Sequence, residues 1–220
     1  NLIDKNIDYI FHSAAYKHVP LLEENCIEGV KNNIIGTYNI AKISSELSIK
    51  NILLVSTDKA VKPTNIMGAT KRISENIFQA FGKNFPKLNY SIVRFGNVVN
   101  SKGSVFPNFS YQIENRLPLQ LTHKEVERYF MTIPDAAKLI IEIGSKKTLE
   151  KDTGIYFLDM GKSLKILDLI KLILKVNNLK LKNNEFDLEG DIDLNIIGLR
   201  PGEKIKEELS ISKNYKKTDF

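Results

Sequence analysis

Three reactive side chains follow one another directly after an apolar segment that ends at residue 55. Residues 51–55 (NILLV) predict a buried strand, and Thr57, Asp58 and Lys59 at its end offer a hydroxyl, a carboxyl group and an amine. In open α/β sheets, ligands bind at the carboxyl ends of the strands. A neighbouring acid and base at that edge are the residue types that general acid–base catalysis requires.

A helix that follows the strand adds two further residues. Pro63 marks a turn, and the helix predicted over Asn65–Phe81 carries Met67 and Lys71 four residues apart, hence on one face. Each also has a simpler interpretation, Met67 as the filler of an apolar gap and Lys71 as a solvated lysine. An isolated Asp-Lys pair also has a simpler interpretation, in which Asp58 caps the turn and Lys59 lies in solvent.

Composition argues against several classes of protein. The chain has 220 residues, 42% of them hydrophobic and 26% charged, as in ordinary folded proteins. Its single cysteine permits no internal disulfide, which suits the cytoplasm, and its three histidines show no metal-ligand spacing, so we expect no metal. The net charge of +6 is scattered without interleaved aromatic residues, so we expect no nucleic acid partner. Charged residues interrupt the longest apolar stretches, so we expect no membrane contact by this segment.

Strands and helices alternate in the first half of the chain. Strands are predicted over 7–13, 52–56 and 90–95, and helices over 23–48 and 65–81. Such alternation is typical of parallel βαβ units in an α/β fold. Beyond residue 97 the elements become shorter, with helices predicted over 106–114, 134–146 and 164–177 and strands over 117–121, 155–158 and 195–197.

Seven segments match a known family in the same order along nearly the whole chain. They are FHSAAYKHVPLLEEN (11–25), VKNNIIGTYNIA (30–41), STDKAVKPTNIMGATKR (56–72), VRFGNVVNSKGSVFPNF (93–109), THKEVERYFMTIPDAA (122–137), FLDMGKSLKILDLI (157–170) and GLRPGEKIKEEL (198–209). With them the chain resembles the extended short-chain dehydrogenase/reductase superfamily, and within it the bacterial polysaccharide-biosynthesis UDP-N-acetylglucosamine 4,6-dehydratases. The segment around Met67 is similar to the Met-containing type, which resembles dehydratases that retain the configuration at C5.

The resemblance implies a Rossmann-like parallel sheet with a smaller C-terminal lobe. Residues 1–100 would form the C-terminal part of the NAD-binding domain. Residues 101–220 would mainly form the lobe that binds a UDP-sugar, with some elements returning to the sheet. No GxGxxG or GxxGxxG occurs and the resemblance begins at the family's fourth strand, so we expect strands one to three and the glycine-rich loop to be missing from this chain. Residues 7–13 would then form an exposed apolar edge.

The activity implied by the resemblance is the removal of water from UDP-N-acetylglucosamine, for the synthesis of surface polysaccharide or protein glycans. Bound NAD or NADP takes a hydride from sugar C4 and returns it to C6, so the cofactor is recycled. We expect Asp58 to protonate the departing 6-hydroxyl and Lys59 to remove the C5 hydrogen, with Thr57 as a hydrogen-bonding aid. Met67 stands where most of the superfamily has the tyrosine that deprotonates the oxidised hydroxyl, so Lys59 is the first candidate for that step too. Lys71 is expected to bind the nicotinamide ribose.

Further residues are expected to contact the cofactor and the substrate. Small residues after the first strand allow a ribose to approach, and an asparagine within the following helix is expected either to anchor the active-site loop or helix or to lie on a plain polar face. Arginines in this lysine-rich chain suit bidentate contacts to a diphosphate, with surface ion pairs as the alternative. The cofactor set is Ala14, Ala15, Lys17, Asn32, Ser56, Lys71, Phe95 and Gly96, and the substrate set is Asn97, Ser104, Val105, Arg128, Arg200 and Glu203.

Two other functions stay open. The superfamily also contains NAD(P)-dependent UDP-sugar epimerases and reductases, although an epimerase needs no acid at C6. A non-catalytic nucleotide-sugar-binding module is the second alternative, which Met67 and the missing glycine-rich loop would favour. We expect a homo-oligomer in the cytoplasm, either free or as the cytoplasmic domain of a membrane-anchored parent.

Overall fold

The structure is a computed structural model that describes residues 7–101, 103–145, 154–157, 160–182, 189–208 and 216–217. It divides into two compact units. The first comprises Asn1–Gly96, Pro134–Asp159 and Glu208–Phe220, and the second comprises Asn97–Ile133 and Met160–Glu207.

The elements agree closely with the predicted alternation. The strands are β1 (Tyr9–His12), β2 (Asn51–Val55), β3 (Asn89–Arg94), β4 (Asn97–Val98), β5 (Leu119–Leu121), β6 (Glu127–Arg128), β7 (Phe130–Met131), β8 (Ile155–Phe157), β9 (Leu164–Lys165), β10 (Leu194–Ile196) and β11 (Lys216–Lys217). The helices are α1 (Val19–Glu24), α2 (Cys26–Gly29), α3 (Gly36–Glu46), α4 (Ile66–Asn84), α5 (Val105–Glu114), α6 (Ile133–Ser145) and α7 (Ile166–Val176), with a π-helix over Val30–Ile35 and a 3-10 turn over Asp58–Ala60. The predicted ends at Lys146 and Leu158 lie outside the described residues.

A parallel sheet forms the centre of the first unit. Its five strands lie in the order β1-β2-β3-β8-β11, and every pair is parallel. Ile52 and Leu54 belong to the core with α3 and α4, whereas Leu53 belongs to the core with α6. Both faces are thus buried, which explains why β2 reads as a continuous apolar run. The predicted Rossmann-like α/β class is confirmed.

β1 is an edge strand of this sheet. Tyr9 and Phe11 project from it, are 41% and 44% exposed, and stack with ring centroids 6.3 Å apart. The expectation of an exposed apolar edge over residues 7–13 is therefore met in the described sheet.

The single long helix predicted over 23–48 is wrong. Asn25 leaves helical geometry (φ −128, ψ 51) and separates α1 from α2, and the π-helix then separates α2 from α3. A π-helix closes its hydrogen bonds over five residues rather than four and therefore rotates the following side chains relative to a regular helix. Within this π-helix Asn33 is buried and Asn32 is half-buried.

The second unit has its own hydrophobic core. Two parallel pairs, β5 with β10 and β4 with β7, and the antiparallel pair of β6 with β9 supply its strands. Residues from α5, α7, these strands and the segments next to them build the core: Phe109, Ile113, Leu119, Leu121, Val126, Ile166, Ile170, Leu174 and Ile192.

Candidate active site

The chain stays paired with the neighbouring strand beyond the end of β2. The backbone N–H of Ser56 donates to the carbonyl oxygen of Val93 (2.7 Å), and that of Asp58 donates to the carbonyl oxygen of Phe95 (3.1 Å). The 3-10 turn then begins, with Thr57 as its N-cap residue. Backbone hydrogen bonds therefore fix Asp58 at the carboxyl ends of β2 and β3.

The side chain of Asp58 is buried with an incomplete set of partners. It is 0% exposed, and its Oδ1 accepts hydrogen bonds from Thr57 Oγ1 (2.8 Å) and Lys59 Nζ (3.0 Å). Its Oδ2 is also buried but has no hydrogen-bond partner in the described part of the chain. Such an atom is costly to bury, so it calls for an explanation in function.

The simpler interpretation of this pair is wrong. Thr57, not Asp58, caps the turn, and the side chain of Lys59 is only 17% exposed. The acid and the amine thus form a hydrogen-bonded pair that is largely withdrawn from water.

The N-terminus of α4 lies directly against this pair. Asn65 caps the helix by accepting a hydrogen bond from the backbone N–H of Gly68 (2.7 Å), and the N–H of Ile66 donates to Oε1 of Glu23 on α1 (2.6 Å). A Cβ atom at Gly68 would lie 2.3 Å from the carbonyl oxygen of Lys59. Only glycine therefore allows the helix to pack this closely on the turn.

Met67 and Lys71 lie one turn apart on α4, and each is only 5% exposed. Burial lowers the pKa of the Lys71 amine to about 8, against a smaller opposing effect of the Glu75 charge. Within the described residues the amine makes no hydrogen bond or salt bridge. The interpretation of Lys71 as a solvated surface lysine is therefore wrong, whereas Met67 is an apolar side chain in a buried position.

A buried ionic cluster follows one turn further along α4. The carboxylate of Glu75, 0% exposed, accepts from Arg94 Nε (2.7 Å) and Nη2 (2.6 Å), from Ser56 Oγ (2.6 Å) and from Arg72 Nη1 (3.1 Å). The Ser56 hydroxyl, expected at the cofactor, is thus directed at Glu75.

The anchoring asparagine is Asn33 rather than Asn32. Asn33 is 1% exposed, its Oδ1 accepts from the backbone N–H of Tyr16 (2.8 Å), and its Nδ2 donates to the carbonyl oxygen of Tyr16 (3.0 Å) and to Thr70 Oγ1 (3.0 Å). Asn32 is half-buried, whereas Asn33 lies four residues from the buried Gly29 and Thr37 and so faces the same way. Asn33 thereby ties the segment after β1 to α4.

His12, the last residue of β1, joins the same polar network. Its Nε2 lies 2.9 Å from Thr37 Oγ1, and Thr37 Oγ1 donates to the carbonyl oxygen of Asn33 (2.6 Å). The single hydroxyl hydrogen of Thr37 is thus used, so we assign the Nε2–H tautomer to His12, which donates to Thr37. Burial and, to a smaller extent, the nearby Lys71 charge lower the pKa of His12 to about 4.

The remaining cofactor candidates lie near the same strand ends. Ala14, Ala15 and Lys17 follow β1, where Ala15 is half-buried and the other two are exposed. Phe95 and Gly96 follow β3 and are both half-buried.

Two of the substrate candidates meet in the second unit. Arg128, 7% exposed, donates from Nη2 to Oε1 of Glu203 (3.1 Å) and from Nη1 to the carbonyl oxygen of Ile205 (3.1 Å). Thr122 Oγ1 also donates to Oε1 of Glu203 (2.9 Å). Glu203, which was expected among the substrate contacts, is therefore the partner of an arginine in this structure.

The other substrate candidates occupy a turn, a strand and a helix start. Arg200 is exposed, and its backbone N–H donates to Oε2 of Glu203 (3.2 Å). Asn97 begins β4 and is half-buried. Ser104 is the N-cap residue of α5 but makes no side-chain capping bond, and its buried Oγ has no hydrogen-bond partner among the described residues. Val105 begins the helix and is half-buried.

The structure brings together Thr57, Asp58 and Lys59, and packs α4 with Met67 on the same turn.

Sequence reasoning missed Glu75 and Asn33. A usable signal for Glu75 was Arg94, because arginine is scarce in this chain and its guanidinium group is well suited to pair with a carboxylate. Among the residues that the structure describes, no cluster of three or more His, Cys, Asp or Glu side chains could hold a metal ion, and no helix is both long and apolar enough to span a membrane.

The fold and the strand-end residues define a member of the extended short-chain dehydrogenases/reductases, the superfamily of nucleotide-sugar dehydratases and epimerases. The whole chain, residues 1–220, matches the family described as polysaccharide biosynthesis protein. The chain belongs to this family, which confirms the resemblance.

Three relatives with different names are similar in sequence to this chain. The chain is 45% identical over 205 residues to the capsular polysaccharide biosynthesis protein CapD of Staphylococcus aureus, covering 93% of this chain and 32% of that protein. It is 32% identical over 206 residues to a UDP-N-acetylglucosamine 4,6-dehydratase (inverting) of Campylobacter jejuni, covering 92% and 56%. It is 31% identical over 220 residues to a UDP-glucose 4-epimerase of Rickettsia bellii, covering 98% and 59%.

A solved structure shows the same fold. The X-ray structure of Pen from Bacillus thuringiensis superposes with a TM-score of 0.82 at 34% identity, covering 94% of this chain and 61% of that one. The chain thus spans between 32% and 61% of the length of these relatives.

Proposed function

We propose that this protein catalyses the removal of water from UDP-N-acetylglucosamine to give a UDP-4-keto-6-deoxy sugar, with a recycled NAD or NADP. The observation that carries the proposal is the buried Asp58–Lys59 pair, in which Oδ2 of Asp58 has no partner. The named dehydratase among the relatives, 32% identical, supports the same reaction.

Asp58 is suited to deliver a proton to the departing 6-hydroxyl group. Thr57 and Lys59 both donate to Oδ1 and hold the carboxyl plane in place, whereas Oδ2 can carry the proton toward a ligand. Because no group of the described chain competes for Oδ2, the proton is not diverted within the protein.

Lys59 is suited to remove the C5 hydrogen as a proton. The 3.0 Å contact between its Nζ and Asp58 Oδ1 is short enough for proton transfer along the hydrogen bond. Transfer from the ammonium group to the carboxylate gives an uncharged acid and a free amine. Those are the two forms that the acid and the base need for the dehydration step.

The residues around Lys71 fit a nicotinamide dinucleotide. A buried amine without a hydrogen-bond partner, at the carboxyl ends of parallel strands, can donate to ribose hydroxyl groups. Ala14 and Ala15 are small enough to allow the same ribose to approach, and the Asn33 bonds hold Tyr16 next to them. When bound, the nicotinamide supplies the oxidation at sugar C4 and the return of the hydride at C6.

Met67 carries no titratable group, so another residue must take the proton of the 4-hydroxyl group. We assign this step to Lys59 as well, with Thr57 as the hydrogen-bonding aid. The amine then passes this proton to Asp58 along their 3.0 Å hydrogen bond, so that it is neutral again when it accepts the C5 proton and Asp58 holds the proton for the 6-hydroxyl group. Met67 fills its buried position next to the turn and keeps water away.

In the second unit, Arg128, Arg200 and Glu203 are proposed to bind the UDP part, with Asn97, Ser104 and Val105 as further contacts. The guanidinium of Arg128 is held in place by Glu203 and by two backbone carbonyl groups. A fixed guanidinium is suited to bidentate contacts with a diphosphate. The exposed side chain of Arg200 is available for the same ligand.

The test is to incubate the complete natural protein with UDP-N-acetylglucosamine and to measure the product by mass spectrometry. Loss of one water supports dehydration. Asp58→Asn and Lys59→Ala should each lower turnover by at least about 100-fold, the scale of general acid–base catalysis. Lys62→Ala, three residues further on at an exposed ion pair, is the matched control and should keep full turnover. If turnover survives both active-site changes, the assignment of acid and base is wrong.

An epimerase is the second candidate, because the epimerase of Rickettsia bellii is 31% identical over 220 residues. Its product has the same mass as the substrate, so the same measurement distinguishes the two functions. A product of unchanged mass but altered chromatographic retention would replace dehydration by epimerisation.

A further inference from the structure

Glu75 contacts three parts of the first unit that converge on the candidate active site. Its carboxylate accepts hydrogen bonds from Ser56, directly after β2, from Arg94, the last residue of β3, and from Arg72 on its own helix. Ser56 precedes Thr57 and Asp58 in sequence. Arg94 precedes Phe95, whose carbonyl oxygen holds the backbone of Asp58.

Stability alone is a poor explanation for this cluster. Arg94 and Glu75 are 1% and 0% exposed, and a buried ion pair is often no more stabilising than two apolar side chains of the same volume. Unlike apolar packing, however, the ion pair between Arg94 and Glu75 is directional. Two parallel N–H···O bonds fix the distance and the orientation of helix against strand.

Glu75 also lies four residues after Lys71, on the same helical face. Its charge opposes the effect of burial on the pKa of the Lys71 amine. The other titratable and charged groups on this helix and on the elements packed around it are His12 on β1, Glu23 and Glu24 on α1, Cys26 and Glu28 on α2, Lys31 in the π-helix, Tyr38, Lys42 and Glu46 on α3, Asp58 and Lys59 in the 3-10 turn, Tyr90 and Arg94 on β3, and Arg72 and Lys83 on α4 itself.

We propose that Glu75 is a positioning residue of the active site: it locks α4 onto the ends of β2 and β3 and holds a proton on the Lys71 amine. This assignment rests on the dehydration proposed above, in which Lys71 donates hydrogen bonds to a ribose. Without the Glu75 charge, α4 would still be a helix, but its lysine would be both less firmly placed and more easily deprotonated.

The decisive variant replaces both members of the pair, Glu75→Met with Arg94→Met, in the complete natural protein. Removing only the glutamate would leave a buried arginine without its counter-charge and can prevent folding, whereas the double replacement exchanges an ion pair for apolar volume. Glu75→Asp keeps the charge and is the rescue variant. Phe78→Leu, at a fully buried apolar position one turn away on the same helix, weakens packing without changing charge and is the control for stability.

The measurement is the titration of the Lys71 amine by NMR in protein with 13C-labelled lysine, assigned with Lys71→Arg. In the double variant the midpoint should fall, because the Glu75 charge that raises the pKa of the Lys71 amine is removed. The fall should be smaller than that caused by one lone charge, because the positive charge of Arg94 is removed with it. Phe78→Leu and Glu75→Asp should keep the parent midpoint. Turnover should fall at least about tenfold in the double variant, because a misplaced donor weakens alignment.

A folded double variant whose Lys71 titrates at the parent pH would overturn the assignment. A shifted midpoint in a protein that removes no water from UDP-sugars would leave the electrostatic role standing and refute the proposed function instead. The two failures are therefore distinguishable.

Discussion

Replacing Lys71 by methionine should stabilise the protein while it abolishes turnover. Lys71 is 5% exposed, and burial lowers the pKa of its amine from 10.5 to about 8. The folded protein therefore resists carrying this charge, although the unfolded chain carries it freely. Methionine has a similar length and no charge, so it should fill the same space without that cost.

The magnitude follows from proton linkage. The two pKa values differ by about 2.5, which corresponds to about 3 kcal/mol of folding free energy. Between about pH 8 and pH 10.5 the unfolded chain binds the proton and the folded protein does not, so the parent becomes more stable as the pH rises through that range. Below about pH 8 the cost is fully present. We expect Lys71→Met to gain about 2–3 kcal/mol at pH 7 and almost nothing near pH 10.5.

The assay is urea unfolding followed by far-UV circular dichroism at pH 7 and at pH 10, because the chain has no tryptophan for fluorescence. Lys42→Met, at a lysine that is 54% exposed on α3, is the control and should change stability little at either pH. A loss of stability in Lys71→Met at pH 7, or a gain that is the same at both pH values, would show that the amine is not held in a costly environment.

Three further predictions concern packing, pH and substrate affinity. Gly68→Ala should lower stability by about 1–3 kcal/mol and reduce turnover, because the added Cβ atom would meet the backbone of Lys59. The control is Gly36→Ala, where the nearest atom to an added Cβ is 3.8 Å away. This control should be neutral or stabilising in the same denaturation assay. Stability should fall as the pH drops from about 6.5 toward 4, since the folded protein keeps His12 neutral while the unfolded chain protonates it; His12→Leu should lose less stability over that range, and an equal loss would point to other groups. Arg128→Lys should raise KM for the UDP-sugar about tenfold with little change in kcat, and an unchanged KM would remove this arginine from the proposed diphosphate contacts.

The regular elements could be predicted because each carries a strong local signal. β2 is a continuous apolar run and α4 has an apolar stripe at helical spacing, and both were placed within three residues of their observed ends. The region over 23–48 could not be predicted correctly, because asparagine and glycine occur at several positions in it and do not show which one ends a helix. A π-helix, in addition, has no composition of its own. Helical spacing would have indicated Asn33 rather than Asn32, because Asn33 lies four residues from both Gly29 and Thr37, which are also buried.

The candidate site was partly readable for similar reasons. The position of Asp58 and Lys59 follows from a strand end, and the relation of Met67 to Lys71 follows from helical spacing. The burial of these side chains could not be predicted, because a sequence pattern does not show which charged side chains are covered by the rest of the protein. Glu75 and Arg94 are nineteen residues apart in sequence, and their pairing depends on how α4 packs on the sheet.

The first unit contains two kinds of buried polar side chain, and the difference between them points to the site. Asn33 and Glu75 have several hydrogen bonds each, to residues of two or three elements. Asp58 has an oxygen atom and Lys71 an amine that no described group of the chain satisfies. Because an unsatisfied buried group opposes folding, the satisfied networks around both residues are needed to keep them in place. A ligand that offers hydroxyl groups to Lys71 and to Asp58 would remove both penalties, which is what a ribose and a hexose bound at these strand ends would do.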